Sequence, residues 1–307
     1  MDKKLGLGKV TRDIFERCVL PYIPLNQDLE LDGATVKFNN RIVIAHSPSI
    51  GVPLESLGFF AFHYAACNVA VRFGQPKYLS TGIYLPLNAT EDDLVTIAKS
   101  LGNEAKKYNV KVIAGQTATY FGLDIPFIST TCFGEAVRDV IRPSKGDIVF
   151  LVGDVGGEAV WLSQIGKGSN DEIWKNFTSY PIVMTLQKLP GVNMMHDISE
   201  GGIKGSLIEL LYDLKLGLGF NSKIIHYAKN AELLDQDILR APSYGTLIVI
   251  ISPAAADDFK KICESFKKKY VSLGPLVEKR GLVVDNESVE SQNRIPLDEL
   301  YRGFKKG

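Results

Sequence analysis

The run His196-Asp197-Ile198-Ser199-Glu200-Gly201-Gly202-Ile203 gathers an imidazole, two carboxylates and a glycine pair. An apolar stretch over 189–195 precedes it, and Ile203, Leu207, Leu210 and Leu211 follow at helical spacing. The chemistry therefore sits at a predicted strand-to-helix joint. Paired glycines let backbone approach a ligand closely, and the first N–H groups of a helix point outward. Such a joint suits a polyanion, and Asp197 and Glu200 beside it suit a divalent cation. A purely architectural reading is equally open: Asp197 or Ser199 caps the helix and Glu200 completes a capping pair.

Other residues offer chemistry more weakly. Gly153-Asp154-Val155-Gly156-Gly157 leaves a predicted strand over 148–152 and enters a helix. Gly153, Gly156 and Gly157 form either a phosphate-approach loop or a tight turn. Gln116 and Thr117 follow Gly115 at the end of a short strand, as a ligand-facing rim or a polar turn. His46, beside Ser47 at another strand end, is a candidate acid or base near neutrality. Asn68 interrupts an apolar helix, which is costly unless its amide is hydrogen-bonded. It either bonds neighbouring backbone or faces a cleft. His63 in the same helix reads as a satisfied core histidine. Lys9, after Gly6 and Gly8, is a cation that folds over phosphates or an ordinary solvated lysine.

The chain that must position these residues has 307 of them, enough for two domains of ordinary size. At 45% hydrophobic and 23% charged, its composition is that of a soluble globular protein. Lys+Arg and Asp+Glu both number 35, so bulk charge recruits neither nucleic acid nor anionic membrane. Cys18, Cys67, Cys132 and Cys263 lack metal-type spacing and read as reduced, buried thiols of a cytoplasmic protein. The first residues show no signal-peptide core. The longest apolar stretch, 57–71, contains His63 and Asn68 and is too short and polar to span a bilayer. The lysines at 260–261 and 267–269 read as the solvated face of one amphipathic helix.

Asn39-Asn40 between 34–38 and 41–45 signals a hairpin. A buried helix is predicted from about 53 to 73, its aromatic residues serving as core or interface packing. A strand over 77–86 and a helix capped by Thr90 and reaching about 108 come next. Strands are predicted at 110–114 and 126–137. Turn chemistry at 142–147 marks the domain boundary, dividing the chain into 1–142 and 143–307. Beyond it, helices are predicted at 170–188, 202–214 and 254–269. Strands at 245–252, 270–277 and 281–285 complete a sheet. Helices and strands mix in both halves, an α+β or α/β class in two layers.

Several of these pieces, in this order, resemble a known superfamily. They are Leu-Gly-Lys9, Asp32-Gly-Ala-Thr-Val36, Pro53-Leu-Glu-Ser-Leu-Gly58, Asn68-Val-Ala with Gly74-Gln-Pro76, and Ala114-Gly-Gln-Thr117. The second half adds the turn at 153–157, the run at 196–202, Ser243-Tyr-Gly-Thr-Leu247 and Pro296-Leu-Asp-Glu-Leu-Tyr-Arg302. The superfamily unites AIR synthase, selenophosphate synthetase, thiamine-monophosphate kinase and the hydrogenase maturation factor HypE. Within it the chain is most similar to archaeal HypE-like, AIR synthase-related proteins. The resemblance implies an α+β, two-domain AIR synthase-like fold. Its N-terminal sheet would pair with a second subunit's in a homodimer, and its C-terminal α+β domain would close over a nucleotide.

It also implies ATP-dependent phosphorylation or activation of a small-molecule or carboxamide oxygen, with Mg²⁺ on the polyphosphate. Nucleotide contacts would come from Lys9, Ser47, Asn68, Gln116, Thr117, Gly153, Gly156 and Gly157. Asp197, Glu200 and His46 are the catalytic candidates, and Asp32 and Asp197 the metal candidates. The family carries acids where this chain has Ser47, Asn68 and Gln116, and neutral dipoles offset magnesium dehydration poorly. HypE also carries a C-terminal cysteine as its carbamoyl carrier, whereas no cysteine here lies beyond Cys263. A non-catalytic homologue, acting as a binding partner in a maturation pathway, is therefore the alternative expectation.

Overall fold

Fourteen of the eighteen residues of α2 (Leu54–Val71) are buried, and Glu55 is its only carboxylate. The computed structural model that contains it describes residues 4–5, 8–9, 12–24, 37–166, 168–169, 171–198, 201–234 and 236–290. The chain forms two compact units, Met1–Arg138 and Asp139–Gly307.

In the first unit α2 is buried because it is covered twice, by a sheet on one side and by α3 (Glu91–Lys107) on the other. At Gly58 the two helices touch backbone to backbone: an added Cβ would lie 2.4 Å from Leu101 N and 2.6 Å from Ile97 O. The α3 start is a capping box, Asp93 N–H donating to Thr90 Oγ1 at 3.2 Å and Thr90 N–H to Asp93 Oδ2 at 2.8 Å. His63, fully buried, meets Glu104 Oε2 of α3 at 2.8 Å, and desolvation pushes its imidazole below the ordinary value. It is the satisfied core histidine expected. Short α1 (Arg12–Cys18) packs on α3.

The sheet runs β1 (Gly8–Lys9), β4 (Lys111–Thr119), β3 (Gly74–Leu85), β5 (Phe127–Ala136), β2 (Ile42–Ile50). Only the β3–β4 pair is parallel. Along β2 and β5 burial alternates with period two, as one face meets α2 and the other does not. Two expectations change. The strand expected at 41–45 runs from Ile42 to Ile50 and pairs with β5, while the expected hairpin partner at 34–36 lies outside the described residues. β4 runs through Gly115, Gln116 and Thr117 to Thr119, so these residues sit inside a strand and not at its rim.

The second unit has two sheets. One, all antiparallel, is ordered β10 (Tyr270–Pro275), β6 (Ile148–Val152), β9 (Leu247–Ile251), β7 (Val192–Asp197). All five residues of β9 are buried, as a central strand requires. The other holds β12 (Glu287–Val289), β11 (Gly281–Val284) and β8 (Gly217–Phe220), so the segment at 281–285 does not extend the first sheet. Helix α6 (Gly202–Leu214) bridges them: Leu207, Leu210, Leu211 and Leu214 join Leu151 and Ile248 of one sheet and Leu218 and Leu282 of the other in a single core.

The remaining helices are α4 (Gly157–Ile165), α5 (Tyr180–Leu186) and α7 (Ala256–Ser265). The helix predicted at 170–188 is instead a 3₁₀ turn at Ile173–Asn176 followed by α5. Pro181 explains the break, because proline fits only the first turn of a helix. Lys267 has a left-handed φ of 52°, so the basic run 267–269 leaves α7 and is not its solvated face. No helix among the described residues is long and apolar enough to cross a membrane.

Candidate functional site

Pairing brings Val152, Leu247 and Asp197 side by side at one end of the four-stranded sheet. Two turns meet that end, 153–157 after β6 and 243–246 before β9, and β7 also ends there at Asp197. The two turns are tied together. Gly156 N–H donates to Ser243 Oγ at 2.8 Å, and Ser243 Oγ donates to the Ala241 carbonyl at 3.0 Å. Buried Glu158, in the first turn of α4, accepts Tyr244 N–H at 2.8 Å. Gly153 and Gly156 have left-handed φ of 101° and 82°. A Cβ on Gly153 would lie 3.1 Å from Thr246 Cγ2, so the glycine permits close packing as well as the turn.

The 153–157 turn is not an open nest of donors. Gly153 N–H donates to Lys269 O at 2.8 Å and Val155 N–H to His226 O at 2.9 Å, in addition to the bond from Gly156. Lys269 Nζ reaches Asp154 Oδ1 at 3.0 Å, which puts a cation on the same turn. Gly157 is roomier: its added Cβ would meet Phe177 Cε1 at 3.4 Å. Ser243 and Glu158 were not among the sequence candidates. The signal for Ser243 was the glycine two residues later, a turn mark before a β-branched run.

Asp197 is the last residue of β7 and half-buried. Desolvation raises its carboxyl above the ordinary aspartate value, against the opposing pull of neighbouring His196. His196 Nδ1 lies against the Asp197 carbonyl oxygen. The N-cap of α6 is Gly201, with no side-chain cap bond, so Asp197 does not cap this helix. Ser199 and Glu200 lie outside the described residues. Gly202 has a left-handed φ of 60°, and a Cβ there would lie 2.5 Å from the Arg240 carbonyl carbon.

In the first unit the candidates separate by face. Ser47 turns toward α2, where its Oγ accepts from Asn68 Nδ2 at 3.1 Å. Asn68 thus bonds a side chain across the helix–sheet interface, where neighbouring backbone was one of the expectations. His46 points the other way, its Nδ1 2.9 Å from Thr131 Oγ1 and its Nε2 3.3 Å from Ser129 Oγ. It stands mid-strand, not at a strand end, and shares no face with Ser47. Gln116 pairs with Gly82 and its Nε2 donates to Tyr120 Oη, while Thr117 is buried. Lys9 of β1 stands opposite Ala118, next to Thr117 along β4. Asp32 lies outside the described residues.

These donors do not fit a magnesium ion. Ser47, Asn68 and Gln116 are neutral and already bonded to one another or to Tyr120. Mg²⁺ demands anionic oxygen in octahedral geometry to compensate its dehydration. Among the described residues no three His, Cys, Asp or Glu side chains are grouped to hold a metal. All four cysteines are buried and outside any disulfide, and burial pushes the Cys263 thiol up to about 12.

Comparisons with known proteins agree with this architecture. The model of the AIR synthase related protein, N-terminal domain, matches residues 31–136, and that of its C-terminal domain matches 144–286. Carbamoyl dehydratase HypE of Escherichia coli is 22% identical over 245 residues, 75% of this chain and 73% of its own. A putative hydrogenase expression/formation protein of Methanocaldococcus jannaschii is 26% identical over 239 residues, 71% of each chain. The crystal structure of hydrogenase maturation protein HypE in complex with ATP superposes with a TM-score of 0.79 at 18% identity. It covers 94% of this chain and 99% of that one.

Proposed function

This chain belongs to the AIR synthase related protein family, and from that membership we propose that it binds ATP and uses it to phosphorylate or activate an oxygen of a small-molecule or carboxamide substrate. The nucleotide is drawn from a relative solved with ATP, and the class of acceptor from a relative named carbamoyl dehydratase. One observation carries the reading to this chain: the 153–157 turn, Asp197 and the 243–246 turn converge at one sheet end. Polyphosphate would approach along Gly153 and Gly157, with Lys269 as a nearby cation. Asp197, its carboxyl raised above the ordinary aspartate value by desolvation, would take the proton from the acceptor oxygen. Taken by itself, the first unit offers Lys9, Ser47, Asn68, Gln116 and Thr117 as further proposed nucleotide contacts and His46 as a proposed acid or base. No step is assigned to magnesium, because Ser47, Asn68 and Gln116 are neutral and Asp32 and Glu200 lie outside the described residues.

A carrier thiol is not part of the proposal, since every cysteine is buried. The cytoplasm, where ATP and reduced thiols coexist, is the compartment this reading calls for. The neutral, mutually bonded Ser47 and Asn68 favour a second reading, a non-catalytic member serving as a binding partner in a maturation pathway. One experiment separates the two. Calorimetry of the full chain with ATP, ADP and AMP, with and without magnesium, is followed by measurement of phosphate release. Heat with ATP in both buffers is expected. Absence of heat with every nucleotide sinks the first reading, and turnover of ATP by the chain sinks the second.

A further inference from the structure

The second unit holds a cavity of about 350 Å³ that the nucleotide reading leaves unused. Lys204 of α6 and Arg240 line one side, and the β11–β12 hairpin lines the other. Lys204 Nζ lies 2.7 Å and Arg240 Nε 3.5 Å from the same oxygen, Asp237 Oδ2. The two side chains are only 18% and 17% exposed. One carboxylate thus draws two long cations together, and burial of their stems has already removed most of their rotamer freedom. Such paired, pre-ordered cations suit an oxyanion, because little further ordering is needed on binding.

The opposite wall is also held in place. Asp285 and Asn286 turn the hairpin with left-handed φ of 53° and 70°. The Asp285 carboxylate accepts Ser222 N–H at 2.8 Å and Ser222 Oγ–H at 2.6 Å, which fixes the turn against residues 222–224. Glu287 and Glu290 stand exposed on the rim, and the Ser288 hydroxyl adds a neutral donor or acceptor. The cavity is therefore polar in two senses, cationic on one side and acidic at the mouth.

We propose that it binds a small zwitterionic oxyanion, with a phosphate or carboxylate on Lys204 and Arg240 and an ammonium or amide toward Glu287 and Glu290. Its size lies at the small end of ligand pockets. The cavity also adjoins the Asp197 turn through packing: Arg240 backbone abuts Gly202, and Lys204 follows in the first turn of α6. The two sites share no residue, so either can fail while the other stands.

The test uses the full chain, calorimetry and three probes: O-phosphoserine, inorganic phosphate and serine. Saturable binding of O-phosphoserine is expected, tighter than either part alone. Phosphate against serine then tells which oxyanion the cations prefer. Lys204→Met should weaken binding about tenfold, as for one lost charge-assisted hydrogen bond. No saturable binding of any probe overturns the proposal. So does wild-type affinity in Lys204→Met.

Discussion

Asp197 is held where a carboxylate is least comfortable, half-buried at a strand end without the capping bond that would have stabilised its charge. Its folded carboxyl titrates above the unfolded one, so the folded state keeps the proton longer as pH rises. Stability from this residue is thus greatest below the ordinary aspartate value of about 4 and declines as pH climbs through it toward the raised value. Asp197→Asn removes the buried charge. It should raise Tm at pH 7 relative to wild type, with the gain vanishing below about pH 4, and abolish ATP-dependent turnover. A variant melting lower than wild type at pH 7 would show that the carboxylate is compensated and that the functional argument from its burial is wrong.

At the scale of elements, the α2–α3 contact depends on Gly58. Alanine there gains about 1 kcal/mol of helix propensity but drives a methyl into the Ile97 and Leu101 backbone. Backbone cannot rotate away as a side chain can, so overpacking of about 1–3 kcal/mol should win. Gly58→Ala is expected to lower Tm measurably by calorimetry or circular dichroism, and an unchanged or higher Tm would refute the backbone contact. These elements were the legible part of the sequence. The apolar run of α2, the Thr90 cap of α3 and the 3.6 period of α6 are local signals, and each predicted its helix. What escaped depended on distant partners. β2 pairs with a strand some 85 residues later, so its neighbour could not be inferred from Asn39-Asn40. The Gly156–Ser243 bond spans 87 residues, and without it the 153–157 turn looks like a bare phosphate loop. Strand period two does separate adjacent His46 and Ser47 onto opposite faces, but only a known strand reveals which face meets α2.

For the molecule as a whole, the first unit's sheet leaves a face uncovered by α2. On β2, Ile42, Ile44 and Ile50 are 47%, 58% and 50% exposed, with His46 between them. β2 is the last strand in its sheet order, and Pro48 within it lacks an N–H, as edge strands tolerate. Exposed Ile42, Ile44 and Ile50 on one face of a strand that ends the sheet order of the described residues would suit an association surface. A formal net charge of zero offers no bulk repulsion between copies. A second copy of the chain, packed sheet face to sheet face, is the occupant we propose for this face. Ile44→Glu places a carboxylate on that face of each copy, where two would be buried together at a cost of several kcal/mol. Light scattering on a sizing column should therefore give a dimer for wild type and a monomer for Ile44→Glu, with little change in Tm beyond that due to dissociation. A wild-type monomer across micromolar concentrations, or a dimer untouched by the charge, would leave this face needing another partner.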